Sequence, residues 1–198
     1  MPGSIYNEPK YVGSYNRYSS DDYIEAKIDN KYLIDMAEVC TEREEEHRDS
    51  DGTTHTTTYT VFHGLFAKIV IDKSINTDLR ITRGSKFSAY KDRLEMDSSE
   101  FEKNFNVYTS NKIIGMQLLT ADIMEDILEF KNKTKKEFDI FVDQNIVYLR
   151  FHCGSMFEVN KIKKGKFDEK SLREYYDILE FVYKLTTKII KIIDETEI

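Results

Sequence analysis

The stretch "HRDSDGTTHTTTYT" (residues 47–60) decides between a helical and a strand-based fold for the surrounding chain. Its Asp-x-Asp-Gly core imitates an EF-hand calcium loop, which lies between two helices. With Gly52 at the glycine position of that motif, His47 and Thr58 would stand at the two end positions, where acidic ligands are needed. Asp-Gly between segments rich in β-branched residues is instead typical of a turn, because the turn requires positive φ. The sequence therefore predicts a β-hairpin here.

Two histidines flank this turn and are candidate metal ligands. A two-residue loop would place His47 and His55 on opposite sides of the hairpin, whereas a three-residue loop would place them directly opposite each other. Both registers are open from the sequence. Zinc sites usually take three or four ligands, and this stretch offers two good ones. We therefore predict neither a metal site nor a cofactor.

Further turn signals predict more antiparallel strands. Asp29-Asn30 separates two apolar segments and predicts a first hairpin. "TDLRIT" (residues 77–82) continues the sheet, and "EFDIFVDQNIVYLRF" (residues 137–151) predicts a hairpin that turns at residues 143–145.

Helix signals follow in the second half of the chain. Ser98 or Ser99 is placed to cap a short helix, Thr120 to cap a second one, and Asp168 to cap a long C-terminal helix. The long helix has a wide apolar face that another layer must cover. This predicted face consists of Leu172, Tyr175, Tyr176, Ile178, Leu179, Val182, Tyr183, Leu185, Thr186, Ile189, Ile190, Ile192 and Ile193.

The order of these elements predicts an α+β fold. Antiparallel β-hairpins form a central sheet, and a mid-chain helix and a long C-terminal helix pack on it. Residues 1–20, which are rich in Tyr, Ser and Asn, are predicted to form an extended N-terminal arm. Residues 21–198 are predicted to form a single domain.

The composition limits the classes of function. The 198 residues carry a net charge of −7, which argues against general nucleic-acid binding because phosphate contacts need surplus positive charge. Cys40 and Cys153 stand far apart and without a CxxC pair, which is typical of a reduced, intracellular protein. The sequence contains no apolar run long enough to span a membrane. We predict a cytoplasmic protein.

Signatures of catalysis are absent from the sequence: it has no Walker loop, GxGxxG, GxSxG or HExxH motif. In "FHCGS", His152 and Cys153 are neighbours on a predicted strand, so their side chains point to opposite faces and cannot act as a pair. We therefore lean against an enzyme. The alternative is a hydrolase whose site assembles from dispersed histidines and carboxylates, with His63 and His152 as the first candidates.

The sequence contains two lysine-rich runs, "KNKTKK" and "KIKKGK". They are either charged surface segments or contacts for anionic lipid. In the second case, each basic residue near the membrane surface contributes about 1 kcal/mol to binding. The candidate contact residues for lipid or a partner protein are Lys131, Lys133, Lys135, Lys136, Lys161, Lys163, Lys164 and Lys166.

Several segments carry a resemblance to a known family: "RYSSDDYI", an "EV" strand followed by a charged turn, Phe62-x-Gly64-x-Phe66, "FEKNFNVY", "LLTADIM" and "IVYLRF". Between Arg17 and Glu195 the chain resembles the bacterial family called domain of unknown function 3137. This family has no assigned activity, so the resemblance implies no catalytic residues. Many longer members have a hydrophobic, membrane-spanning region ahead of this domain, so the resemblance implies either an anchor upstream of these residues or a naturally soluble member.

Together, these observations predict a non-catalytic binding or scaffolding module of a membrane-associated bacterial protein. Its expected partner is another protein, with the inner face of the cell membrane as a second candidate contact. The alternatives are the hydrolase and a lipid-surface protein that binds through its lysine-rich loops.

Overall fold

The computed structural model describes residues 1–9, 12–83, 92–156 and 169–196. They form an α+β structure, as predicted, with an eight-stranded antiparallel sheet in the order β1-β2-β3-β8-β7-β4-β6-β5. The strands are β1 (Arg17–Ile28), β2 (Tyr32–Arg48), β3 (Thr54–Val70), β4 (Asp78–Thr82), β5 (Arg93–Leu94), β6 (Asn106–Thr109), β7 (Glu137–Asp143) and β8 (Ile146–His152).

Two of the predicted helix caps, Ser98 and Thr120, are confirmed. Ser98 Oγ accepts a hydrogen bond from the Phe101 amide at 3.2 Å, and Thr120 Oγ1 accepts one from the Ile123 amide at 3.4 Å. Asp168, the predicted cap of the last helix, lies outside the described residues. The helices are α1 (Gly3–Tyr6), α2 (Ser99–Asn104), α3 (Lys112–Leu118), α4 (Ala121–Thr134) and α5 (Glu169–Thr196).

All three predicted hairpin turns are confirmed, and each contains a residue with positive φ. Asp29 and Asn30 have φ of 51° and 57°, Gly52 has 87°, and Gln144 has 53°. The order of the strands in the sheet differs from their order in the chain. β4 follows β3 in the chain but lies between β7 and β6, and β8 takes the place beside β3.

One face of the sheet is covered by helices α4 and α5. Phe130 of α4 stacks on Phe181 of α5 with ring centroids 4.1 Å apart, and both rings contact the sheet through Phe138 and Phe151. The helices are also joined by an ion pair, because Lys184 Nζ of α5 lies 2.6 Å from the buried carboxylate of Asp126 in α4.

Part of the predicted apolar face of α5 is not covered. Ile178, Val182, Leu185, Ile189 and Ile193 are buried, as expected. The prediction is wrong for three members of the face, because the layers that pack on α5 cover the side that carries these five residues together with Phe181 and Thr186. The exposed members are Leu172, Tyr176 and Tyr183.

The opposite face of the sheet is covered by the N-terminal residues. The Tyr6 side chain is completely buried, and its ring packs against those of Phe62 and Phe66 with centroids 5.8 and 5.1 Å apart. Within the predicted arm, Gly3–Tyr6 is a short helix rather than extended chain, and β1 already begins at Arg17. The division into an arm and one domain at residue 20 stays a prediction.

Candidate functional site

Strands β2 and β3 continue together beyond their neighbours in the sheet. Pairing of β1 with β2 ends at Arg17 opposite Glu42, and pairing of β3 with β8 begins at Leu65. We call residues 42–60 the ribbon. Within the described residues, its two strands, 42–48 and 54–60, are paired mainly with each other, and most of their side chains are exposed.

The end of the ribbon is a three-residue loop. The Asp49 amide donates to the Thr53 carbonyl at 2.9 Å, and the Gly52 amide donates to the Asp49 carbonyl at 3.0 Å. Arg48 then pairs with Thr54, and His47 pairs with His55. The histidines therefore lie directly opposite each other, which is the second of the two registers that the sequence left open.

Each of the two histidines contacts a carboxylate of its own. His55 Nε2 lies 3.0 Å from Asp49 Oδ2, and His47 Nε2 lies 3.8 Å from Glu45 Oε2. Across residues 1–9, 12–83, 92–156 and 169–196, no group of three or more His, Cys, Asp or Glu side chains could hold a metal ion.

The two strands of the ribbon differ in charge. The β2 strand is acidic, whereas Thr54–Thr60 of β3 contains five threonines and no Asp, Glu, Lys or Arg. The outer edge of β2 is covered as far as Glu44, because Asn16 accepts from the Glu44 amide and donates to its carbonyl, both at 2.8 Å. Arg17 adds an ion pair to the Glu44 carboxylate at 2.9 Å.

The outer edge of β3 has no such cover within the described residues. Up to Gly64, β3 pairs with β2 alone, and a hydrogen bond from the Gly154 amide reaches the edge only at His63. Sequence reasoning identified this hairpin but missed the edge. The available signal was the uncharged run "THTTTYT", since exposed edge strands normally carry charged residues or proline.

The first candidate for an enzyme site, His63, is exposed rather than part of a core. Its Nε2 lies 3.1 Å from Ser155 Oγ, and Cys40 is its cross-strand partner. Burial and the nearby Glu42 carboxylate raise the pKa of the Cys40 thiol. A raised pKa reduces the thiolate fraction at neutral pH, which weakens Cys40 as a nucleophile.

The second candidate, His152, lies beside a buried ion pair. Its Nε2 is 3.6 Å from Asp139 Oδ2, and Arg150 donates to the same oxygen at 2.6 Å. Burial raises the pKa of Asp139, but contact with His152 and the Arg150 charge outweigh it and hold that pKa below its usual value. A general acid or base works best with a pKa near the working pH, so this shift makes Asp139 itself a poor general acid or base.

His152 and Cys153 point to opposite faces, as predicted. The His152 ring contacts Phe62 on the face that the N-terminal residues cover, and Cys153 packs against the core beneath the helices. Burial raises the pKa of the Cys153 thiol. Both cysteines are free thiols.

The first lysine-rich run is largely engaged in contacts within the protein. Lys133 Nζ lies 2.9 Å from Asp177 of α5, Lys136 Nζ lies 3.1 Å from Glu174, and Lys131 donates to Asn104. Lys135 is exposed and ends α4 with a φ of 58°. The second run, with Lys161, Lys163, Lys164 and Lys166, lies outside the described residues. Lipid contact through these lysines stays a prediction.

A cleft of about 310 Å³ opens between Pro9 and the ends of β4 and β7. The carboxylates of Asp78 and Asp143, which are cross-strand partners, lie along it. Tyr148 forms its inner wall and donates to Glu8 at 2.9 Å. Burial, together with that hydrogen bond, raises the pKa of Tyr148.

Comparisons with known proteins address the family rather than the chemistry. No curated protein matches the chain. A structural comparison finds the crystal structure of the mycobacterial trehalose monomycolate transport factor A, with 10% identity and a TM-score of 0.39. That match covers 83% of this chain and 88% of the other.

Two observations concern the family and its expected membrane segment. Among the helices in the described ranges, none is long and apolar enough to cross a membrane. The family model for Protein of unknown function (DUF3137) matches residues 60–191, which is most of the chain. The chain therefore belongs to the DUF3137 family of proteins of unknown function, in agreement with the resemblance seen in the sequence.

Proposed function

We propose that this protein is a non-catalytic binding module and that the ribbon is its surface for a partner protein. One observation carries the proposal: Thr54–Thr60 forms an exposed, uncharged edge beside an acidic strand. Such an edge exposes main-chain donors and acceptors that another chain can use.

The ribbon contributes little to the stability of the sheet. Ordering a residue costs about 1–2 kcal/mol in backbone entropy, which buried apolar surface normally offsets. Most ribbon side chains are exposed and polar, so this offset is small. An ordered but poorly buried hairpin is better explained as a contact surface than as a part of the core.

The candidate catalytic groups support the non-catalytic side of the proposal. The Asp139 carboxylate is engaged by Arg150 at 2.6 Å, and burial raises the pKa of both thiols. The free thiols are also consistent with a reducing cytoplasm. We place the module there, at the inner face of the cell membrane.

Photo-cross-linking in cells that produce the protein naturally tests the proposal. A photoreactive amino acid replaces Thr56, which is exposed in the ribbon, or Lys103 of α2, which is exposed far from it in sequence. We expect a discrete adduct from the Thr56 position only, with one partner protein identified by mass spectrometry. Equal adducts from both positions, or none from Thr56, would contradict the proposal.

A shortened hairpin provides the matched deletion. Replacing residues 44–58 by Asn-Gly joins Arg43 and Tyr59, which are cross-strand partners, through a two-residue turn. We expect this variant to remain folded, because the core lies below the ribbon, and to lose affinity for the partner found by cross-linking. Full affinity of the shortened variant would place the binding surface elsewhere.

A further inference from the structure

We infer that the outer edge of β3 at Thr54–Thr60, which no strand in the described part of the chain covers, binds an extended, lysine- or arginine-rich segment of a partner protein by strand addition. The inference rests on the proposed function and specifies the chemistry of the partner. In strand addition, main-chain hydrogen bonds hold the incoming segment, and its alternate side chains select it.

The hydrogen bonds at the loop show which main-chain groups of β3 face outward. The Asp49 amide donates to the Thr53 carbonyl, so these two residues form a hydrogen-bonded pair. Such pairs alternate with non-bonded pairs along an antiparallel ladder. His55, Thr57 and Tyr59 therefore bond to β2. The residues whose amides and carbonyls point away from β2 are Thr54, Thr56, Thr58 and Thr60.

This edge differs from the outer edge of the sheet at β1. In β1, the pairing shifts register between Asp21 and Ile24, and Asp22 has a φ of 47°. β1 also carries Glu25 and Lys27, and such charges and bulges oppose the addition of another strand. The seven residues Thr54–Thr60 have no proline, no charge and no register shift, and threonine favours strands.

The charge of the ribbon favours a basic segment over a second copy of this chain. The ribbon has six carboxylates and two arginines, which leaves a net charge of −4. A second copy would bring the same negative charge to the interface. An added strand would lie about 10 Å from β2, which is close to one Debye length at physiological salt, so opposite charges would still attract.

The side chains of β2 are positioned to meet those of an added strand. Glu46, which is exposed, lies opposite Thr56, and Glu44, whose carboxylate is shared with Arg17 of β1, lies opposite Thr58, so both carboxylates share one face with these threonines. Lysine side chains at alternate positions of the incoming segment can extend over the threonine methyl groups towards these carboxylates. Alternation of basic and β-branched residues is the pattern that this surface would select.

Fluorescence anisotropy with two labelled peptides tests the charge requirement. Each peptide has about nine residues, enough to span the edge, and alternates valine with either lysine or glutamate. We expect the lysine peptide to bind the wild-type protein at least about ten-fold more tightly than the glutamate peptide. Raising the salt from about 0.05 to 0.3 M should weaken the lysine peptide several-fold. Equal affinities, or no binding of the lysine peptide up to millimolar concentration, would overturn the inference.

Thr58→Pro tests the requirement for the main-chain edge. Proline removes an amide that points away from β2, so the hairpin itself is retained. We expect about a ten-fold loss of affinity for the lysine peptide, whereas the matched variant Thr58→Val should bind as the wild type does. Equal binding by Thr58→Pro would overturn strand addition.

Two further outcomes separate this inference from the proposed function. If the wild-type protein sediments as a dimer and Thr58→Pro as a monomer, a second copy occupies the edge and the basic segment is wrong. If Thr58→Pro leaves the cross-link from position 56 unchanged in cells, the ribbon still binds a protein but not by strand addition. Loss of that cross-link in Thr58→Pro but not in Thr58→Val supports both the proposed function of the ribbon and strand addition at its β3 edge.

Discussion

The two halves of strands β2 and β3 share one pairing pattern but differ in what lies above and below them. In the lower half, the cross-strand partners Met36 and Ala67 are buried, and so are Ala37 and Phe66. One of these pairs lies beneath the helices and the other beneath the N-terminal residues. In the ribbon, the same ladder continues past a register shift at Thr41/Glu42, and most side chains become exposed. Strand pairing alone therefore does not make a core, and the covering layers separate the part that stabilises the fold from the part available for contact.

The two halves should differ most in the loss of folding stability that follows when a glycine of each half is replaced by alanine. A Cβ at Gly64 would lie 1.9 Å from the Phe151 carbonyl oxygen, so Gly64→Ala must separate β3 from β8. We expect a loss of more than about 3 kcal/mol in the free energy of unfolding, measured by urea denaturation.

Gly52→Ala is the matched control in the ribbon. Its Cβ would meet only Arg48 Nη2, at 3.7 Å, so the cost comes from the positive φ of 87°. We expect about 1 kcal/mol, confined to the loop. Equal losses for both variants would mean that the ribbon and the lower sheet unfold as one unit.

A second prediction removes the cover from the lower half. Tyr6→Ala leaves a cavity among Phe62, Phe66 and the two arm tyrosines, Tyr15 and Tyr18. We expect a loss of about 3 kcal/mol, measured as a lower melting temperature and urea midpoint. Tyr6→Phe, which keeps the ring, should cost less than about 1.5 kcal/mol. A wild-type melting temperature for Tyr6→Ala would show that the arm does not stabilise the sheet.

The contrast also explains which features could be predicted from the sequence. Turns and caps depend on local conformation, so local sequence was enough to predict the turns at Asn30 and Gly52 and the caps at Ser98 and Thr120. Strand order was not predictable, because β8 rather than β4 joins β3 through contacts between segments distant in the chain. Periodicity identified α5 but not which of its apolar residues would be covered, and Tyr176 remains 64% exposed.

The candidate site likewise has features that local sequence predicts and features that depend on contacts distant in the chain. The hairpin and its two histidines were predicted, because Asp-Gly specifies a turn. The free edge was not, because edge exposure depends on where β8 stops pairing with β3. The contact between His152 and Asp139 likewise requires the β7–β8 register, in which Arg150 lies opposite Asp139.

The third prediction uses this buried ion pair. Asp139→Asn leaves the Arg150 charge buried without its counterion, and we expect a loss of about 2 kcal/mol near pH 7, since asparagine can still accept a hydrogen bond. The folded-state pKa of Asp139 lies below its ordinary value of 3.8, so its stabilisation is present above about pH 4 and is lost as the pH falls further. Urea denaturation from pH 7 to 3 should therefore show a smaller acid-induced loss for the variant. Parallel pH profiles would contradict this role of Asp139.

We expect the smallest free energies of local opening in the ribbon, where amide hydrogen exchange can measure them residue by residue. If the β3 edge is free, the outward amides of Thr56 and Thr58 should exchange nearly as fast as in an unstructured peptide, whereas His55, Thr57 and Tyr59 should be protected through their bonds to β2. Protection of the inner amides should correspond to local opening and lie well below that of Leu65, which is buried in the lower half. Protection of Thr56 and Thr58 in the isolated protein would mean that the edge is already covered. Protection that appears only when the lysine peptide is added would instead locate the added strand directly on these two amides, because a bound strand must accept their hydrogen bonds.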